Sequence, residues 1–193
     1  MSGELASRLI PYLGQTEESD LHLLTRLARV HGAIAAPKNG KLVFARRGQG
    51  QSASGLSMGS FALTPGDCTD FDIQMPDRPQ VKEVKAHWHD RKEAKRKTEK
   101  AGAGGQESGF TIRHDMPSKE EADWAAQGKA DDMKRAGGSF SATLPGTPGL
   151  AAESIITSSG FYPGTDATWS VKTSTHTIEG SSFTTKIDCE LKV

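Results

Sequence analysis

His87 and His89 stand two residues apart, with Asp90 directly after them. On a strand, residues at that spacing project from one face. Two imidazoles placed so could share a metal ion, and His114 could supply a third ligand. The competing reading is a polar, solvent-side strand face, because Val84, Ala86 and Trp88 take the opposite parity. We take the second reading and expect no metal. Gly48, Gly50 and Ala53 fit the loose pattern Gly-x-Gly-x-x-Ala. A dinucleotide site also needs a helix after the pattern, whose N-terminus holds the pyrophosphate. Ser54 to Met58 is rich in Ser and Gly and carries no helical stripe, so a loop is expected and no cofactor. No Lys-Ser or Lys-Thr completes a Gly-rich phosphate loop. His22, His31 and His176 lack the Ser or Cys context of a triad. The acidic neighbours Glu120-Glu121 and Asp131-Asp132 would not share a helix face, and read as solvated surface. No catalytic constellation emerges, and the chain is not read as an enzyme.

The basic run offers interaction rather than catalysis. Residues 82–100 hold eight Lys or Arg against four Asp or Glu, a local net charge of +4. Such a patch could contact a phosphate backbone, and a nucleic-acid-binding module is the alternative reading of the chain. The basic residues are read as free of interleaved aromatics, so no platform for base stacking is expected. A solvated hairpin tip that meets an acidic partner is the preferred reading. Its expected contact residues are Arg91, Lys92, Lys95, Arg96, Lys97 and Lys100.

The elements that must position these residues are mostly strands. Phe183, Thr185, Ile187, Cys189, Leu191 and Val193 alternate with Thr184, Lys186, Asp188, Glu190 and Lys192. This period of two predicts a half-buried strand. Trp169, Val171, Thr173, Thr175 and Thr177 form the matching face of its partner, and Glu179-Gly180-Ser181-Ser182 the turn between them. Further strands are expected at 61–63, 71–75, 84–88, 111–114, 140–144 and 155–157. Two helices are expected. Ser19 caps one whose stripe is Leu21, Leu24, Leu27 and Ala28, and which stops at His31-Gly32. Ser118 and Glu121 box the other, from 118 to 135, with Ala122, Ala125, Ala126, Ala130 and Met133 on one face. Between them, Asn39-Gly40 is a strong hairpin signal.

With 193 residues the chain can bury a real core. Its 24 basic and 24 acidic side chains cancel, which removes any global pull toward nucleic acid or anionic membrane. Two cysteines, Cys68 and Cys189, are too few for a disulfide framework, although a single bridge is possible. No apolar run is long enough to span a membrane, and synthesis in a reducing compartment is expected. The fold class expected is mainly β with α: an antiparallel β-barrel with one inserted helix, preceded by a small helix-hairpin subdomain. The division expected is 1–18 as lead-in or linker, 19–58 as helix, hairpin and loop, and 59–193 as the barrel domain.

Gln15 to Ala28, with its core Glu17-Glu18-Ser19-Asp20-Leu21-His22-Leu23-Leu24, closely resembles the entry to the C-terminal half of phage late control gene D proteins. The likeness continues through His31-Gly32-Ala33, the Lys38 to Leu42 hairpin, Ser52-Ala53-Ser54-Gly55, Ser118 to Ala122, Ser159-Gly160-Phe161, Trp169, Gly180 and Phe183-Thr184-Thr185. The resemblance implies a baseplate hub of contractile phage tails or of related machines such as tailocins and type VI secretion spikes. It implies trimers with two tube-type barrels per subunit, which adapt a hexameric tail tube to a trimeric spike. The implied partners are other copies of the chain, the tail tube protein and the spike protein, and the implied location is the virion tail baseplate.

Overall fold

The computed structural model describes residues 3–10, 12–38, 40–52, 54–75, 81–106 and 108–193. In chain order the first elements are α1 (Gly3–Ala6), α2 (Asp20–Val30), β1 (Ala33–Lys38), β2 (Lys41–Arg46), β3 (Ser60–Leu63) and β4 (Asp70–Gln74). Then come β5 (Glu83–Asp90), β6 (Lys95–Gly102), β7 (Phe110–Thr111), α3 (Lys119–Arg135), β8 (Ser139–Pro145), β9 (Ile155–Ser158), β10 (Ala167–Glu179) and β11 (Ser182–Leu191). The chain is mainly β with two substantial helices. Pairing is antiparallel except for β3 with β9 and β5 with β7. Contacts gather into two compact units, Met1–Arg47 with Pro79–Lys134, and Gly48–Arg78 with Arg135–Val193. The boundary expected at 58/59 therefore falls inside the second unit. The strands and helix between 83 and 134, expected within the barrel domain, cluster with the N-terminal segment instead.

In the first unit, Ser19 Oγ accepts the His22 N–H at 3.2 Å and opens α2. Gly32, at φ 60°, stops it as expected. The β1–β2 register pairs Lys38 with Lys41, which leaves a two-residue turn. Gly40 sits there at φ 69°, while Asn39 lies outside the described residues. The lead-in is not a bare linker: Leu5 is buried against Ala28 and Phe44. Leu21, expected on the apolar stripe of α2, is instead exposed. The second core of this unit is alanine-rich. Ala122, Ala125, Ala126 and Ala130 of α3 pack with Val84, Ala86 and Ala101 of the three-stranded sheet β6-β5-β7. Small side chains let the helix lie close to that sheet. At Gly128 the approach becomes backbone to backbone, because a Cβ there would come within 2.9 Å of the Val30 carbonyl oxygen at the end of α2.

The second unit is a six-stranded sheet in the order β3-β9-β10-β11-β8-β4. Among the described strands no pairing joins β3 to β4, so the hydrogen-bonded sheet does not close on itself. Its core holds Trp169, Phe140, Leu150, Ile156, Val171 and Ile187. The β11 alternation holds from Phe183 to Leu191, but Val193 lies beyond the strand and is exposed. The partner strand departs from expectation. Register shifts between Val171 and Thr173, where a bulge reverses the parity of β10. Thr173, Thr175 and Thr177, expected on the core face, instead pair opposite Asp188, Lys186 and Thr184 and are exposed. Ser174 and His176 take the inner parity. Ser174 Oγ donates to the Leu150 carbonyl at 2.8 Å, and His176 Nδ1 lies 3.0 Å from Thr185 Oγ1. Cys68 and Cys189 are both free thiols.

Candidate interaction surface

The basic run folds as the β5–β6 hairpin, with Asp90 paired to Lys95 across a four-residue turn. Asp90 builds that turn. Its Oδ1 accepts the N–H groups of Lys92 and Glu93 at 2.9 and 3.3 Å, and its Oδ2 accepts from Lys97 Nζ at 2.7 Å. The bond from Lys97 leads in holding the Asp90 carboxyl below its ordinary range. Lys97 also meets Glu93 at 2.9 Å. Arg96 forks onto Asp115, with Nη2 at 2.6 Å and Nε at 3.0 Å. Lys100 reaches Glu83 at 3.4 Å. Three of the six expected contact residues are thus engaged within the chain. Arg91, Lys92 and Lys95 are exposed and make no ion pair among the described residues. These three cations stand at the turn and the first residue of β6.

Trp88 lies within this run and was passed over. It faces Lys97 across the hairpin, with Nζ 5.7 Å from the ring centre, and its Nε1 donates to Glu99 at 3.0 Å. The Trp88–Lys97 pairing follows from the register, which the sequence alone does not fix. The strand β6 itself was also missed, because Lys and Glu are weak strand formers.

The histidines stand where parity put them. Val84 and Ala86 are fully buried, His89 is exposed, and His87 Nδ1 lies 2.8 Å from Thr98 Oγ1. His114 is exposed beyond β7. Among the described residues no three His, Cys, Asp or Glu side chains are placed to hold one metal ion. Gly48 and Gly50 serve the second unit's backbone. The Gly48 N–H donates to Glu153 Oε2 at 2.7 Å, and a Cβ on Gly50 would press within 2.9 Å of Ile155. Ala53 lies outside the described residues, and no helix follows.

The sheet offers a second kind of surface. β9 covers β10 only from Ala167 to Ser170. From Lys172 to Glu179, β10 has β11 as its one strand partner among the described residues, and its other edge is open. Open edges present unpaired N–H and C=O groups that another strand can satisfy.

The sequence profile of the phage tail baseplate hub (GPD) family matches residues 3–182. The chain belongs to that family. It is similar to the probable baseplate hub protein of Escherichia phage P2, at 28% identity over 98% of this chain and 59% of that protein. The probable baseplate hub protein of Escherichia phage 186 is likewise 28% identical, over 95% of this chain and 58% of its own length. The chain thus spans a little under three fifths of the hub relatives it matches. In fold it is similar to a tail protein from Neisseria meningitidis MC58, with a TM-score of 0.62 at 12% identity, covering 93% of this chain and 57% of the other. The 43 kDa tail protein of prophage MuSo2 from Shewanella oneidensis gives the same TM-score at 14% identity, over 91% and 53%. The family rests on the sequence profile, and the solved structures show the fold alone.

Proposed function

We propose that the chain is a structural component of a contractile-tail baseplate hub, adapting the tail tube to the central spike. The observation that carries this reading is the hub-family match over residues 3–182. On this reading the chain works by assembly and not by catalysis. The six-stranded sheet of the second unit supplies the wall of a tube-type barrel. The open edge of β10 and the cationic turn at Arg91, Lys92 and Lys95 supply subunit contacts. The partners are further copies in a trimer, the tail tube protein and the spike protein. The location is the virion tail baseplate, after synthesis in the bacterial cytoplasm.

Light scattering at several concentrations, alone and with purified tube and spike proteins of the same phage, tests the reading. A trimer, or a stoichiometric complex with either protein, is expected. A chain that stays monomeric and joins neither would overturn it. DNA binding with a steep salt dependence would favour the nucleic-acid alternative instead.

A further inference from the structure

A cavity of about 530 Å³ opens within the first unit, between β7, the segment that follows it, α3 and the end of α2. Its size lies in the range of built ligand sites. The floor is aliphatic and aromatic: Val30, Phe110, Ile112 and Met116. The mouth is cationic. Arg29, Arg113 and Lys129 line it against one carboxylate, Asp132, and His114 stands beside them. Arg29 and Arg113 are exposed and form no ion pair among the described residues. Lys129 Nζ lies 5.4 Å from the centre of the Phe110 ring, so positive charge stands over the aromatic wall. Beside the cavity, β7 is the last strand of its sheet and, among the described strands, pairs with β5 alone.

We infer that this cavity is a docking site for an extended acidic segment of a partner protein, which seats an apolar side chain on the floor. Three observations choose the occupant. An apolar recess rejects a free phosphate or sulfate, which would lose its hydration without replacement. A recess is also not the open stacking platform that nucleic acid needs. Two guanidiniums without carboxylate partners among the described residues match carboxylate side chains in fork geometry, and the outer edge of β7 can take main-chain hydrogen bonds from an extended peptide. The inference rests on the first unit alone and holds whether or not the chain adapts a tube to a spike.

The test is a titration of the isotope-labelled full chain with the peptide acetyl-Glu-Leu-Asp-Leu-Glu-Gly-amide, followed by amide chemical shifts. Shifts centred on Thr111, Ile112, Arg113 and Lys129 are expected. Replacing the peptide's acids by Gln and Asn should weaken binding about tenfold or more, as should the double change Arg29→Glu with Arg113→Glu. Both arginines are exposed, so the variant should keep its dispersed spectrum; Phe110→Ala gives a second, uncharged variant expected to weaken binding. No shift at millimolar peptide, or shifts centred elsewhere, would overturn the inference. So would equal binding of the neutral peptide, or a single-stranded DNA oligomer that binds the cavity more tightly than the peptide. An apolar sulfonate dye that binds there while the peptide does not would also overturn it, in favour of a small amphiphile.

Discussion

The indole of Trp169 is fully buried, and its N–H donates to Ser158 Oγ at 2.8 Å. Ser158→Ala leaves that donor without a partner in the core, and a buried unsatisfied donor costs about 1–3 kcal/mol. We expect a lower urea midpoint with an unchanged slope. His31 is a second such point. It is buried, its Nδ1 lies 3.0 Å from Arg8 Nη1, and its ring lies 5.2 Å from that of Trp124. Burial first, and Arg8 second, lower its pKa from 6.5 to about 4. The unfolded chain therefore takes up the proton first. The stability His31 contributes is fully present above about 6.5 and is lost as pH falls toward 4. Denaturation midpoints across that window should drop in the parent, and drop less in His31→Gln, which keeps an acceptor for Arg8 but does not titrate. At this scale the sequence showed the apolar anchors clearly. Trp169, Phe140, Ile187 and Cys189 follow from parity, and burial pushes the Cys189 thiol up to about 12. Their polar partners were not legible. Ser158 and Arg8 become neighbours of Trp169 and His31 only through the fold, and neither position is marked by spacing.

Among the elements, the approach of α3 to α2 turns on Gly128. A methyl group there would meet the Val30 carbonyl oxygen at 2.9 Å and the Gly32 nitrogen at 3.1 Å, both backbone atoms with little room to move. Gly128→Ala should therefore destabilise the first unit by about 1–3 kcal/mol despite the better helix propensity of Ala. Thermal unfolding followed by circular dichroism would check it. In the second unit the bulge after Val171 sets which residues of β10 face inward. Deleting Lys172 would remove the bulge residue and leave a plain ladder, in which Thr173 still faces Asp188 and Ser174 still faces Ile187. We expect Ser174 to keep its inward place and its hydrogen bond to Leu150, and the variant to unfold in urea in one cooperative step. Helices and most strands were readable, because capping and alternation are local. The bulge was not, since Thr173, Thr175 and Thr177 continue the parity of Trp169 and Val171 on paper. Nor was β6, whose Lys97 and Lys100 are held by cross-strand ion pairs to Asp90 and Glu83 that a single strand cannot show.

The whole molecule is woven from two units that each use two stretches of chain. Family and motif were legible across almost its full length, but this division was not, because it depends on which distant strands pair. His31 against Trp124, and Gly128 against Val30, tie the first stretch to the third. A protease site placed in the exposed loop at Gly55-Leu56 should therefore yield two fragments that co-elute in gel filtration and separate only in denaturant. The order of β3-β9-β10-β11-β8-β4 has a further consequence during translation. The pairs β3–β9 and β4–β8 flank the sheet, and the β10–β11 hairpin between them is the last part of it to leave the ribosome. Every residue of the first unit has been made by Lys134, but the second must wait for the final hairpin. At about 5–20 residues per second that wait lasts seconds. A message cut short before Trp169 would release a chain with one unit able to form and two strand pairs with nothing to join them.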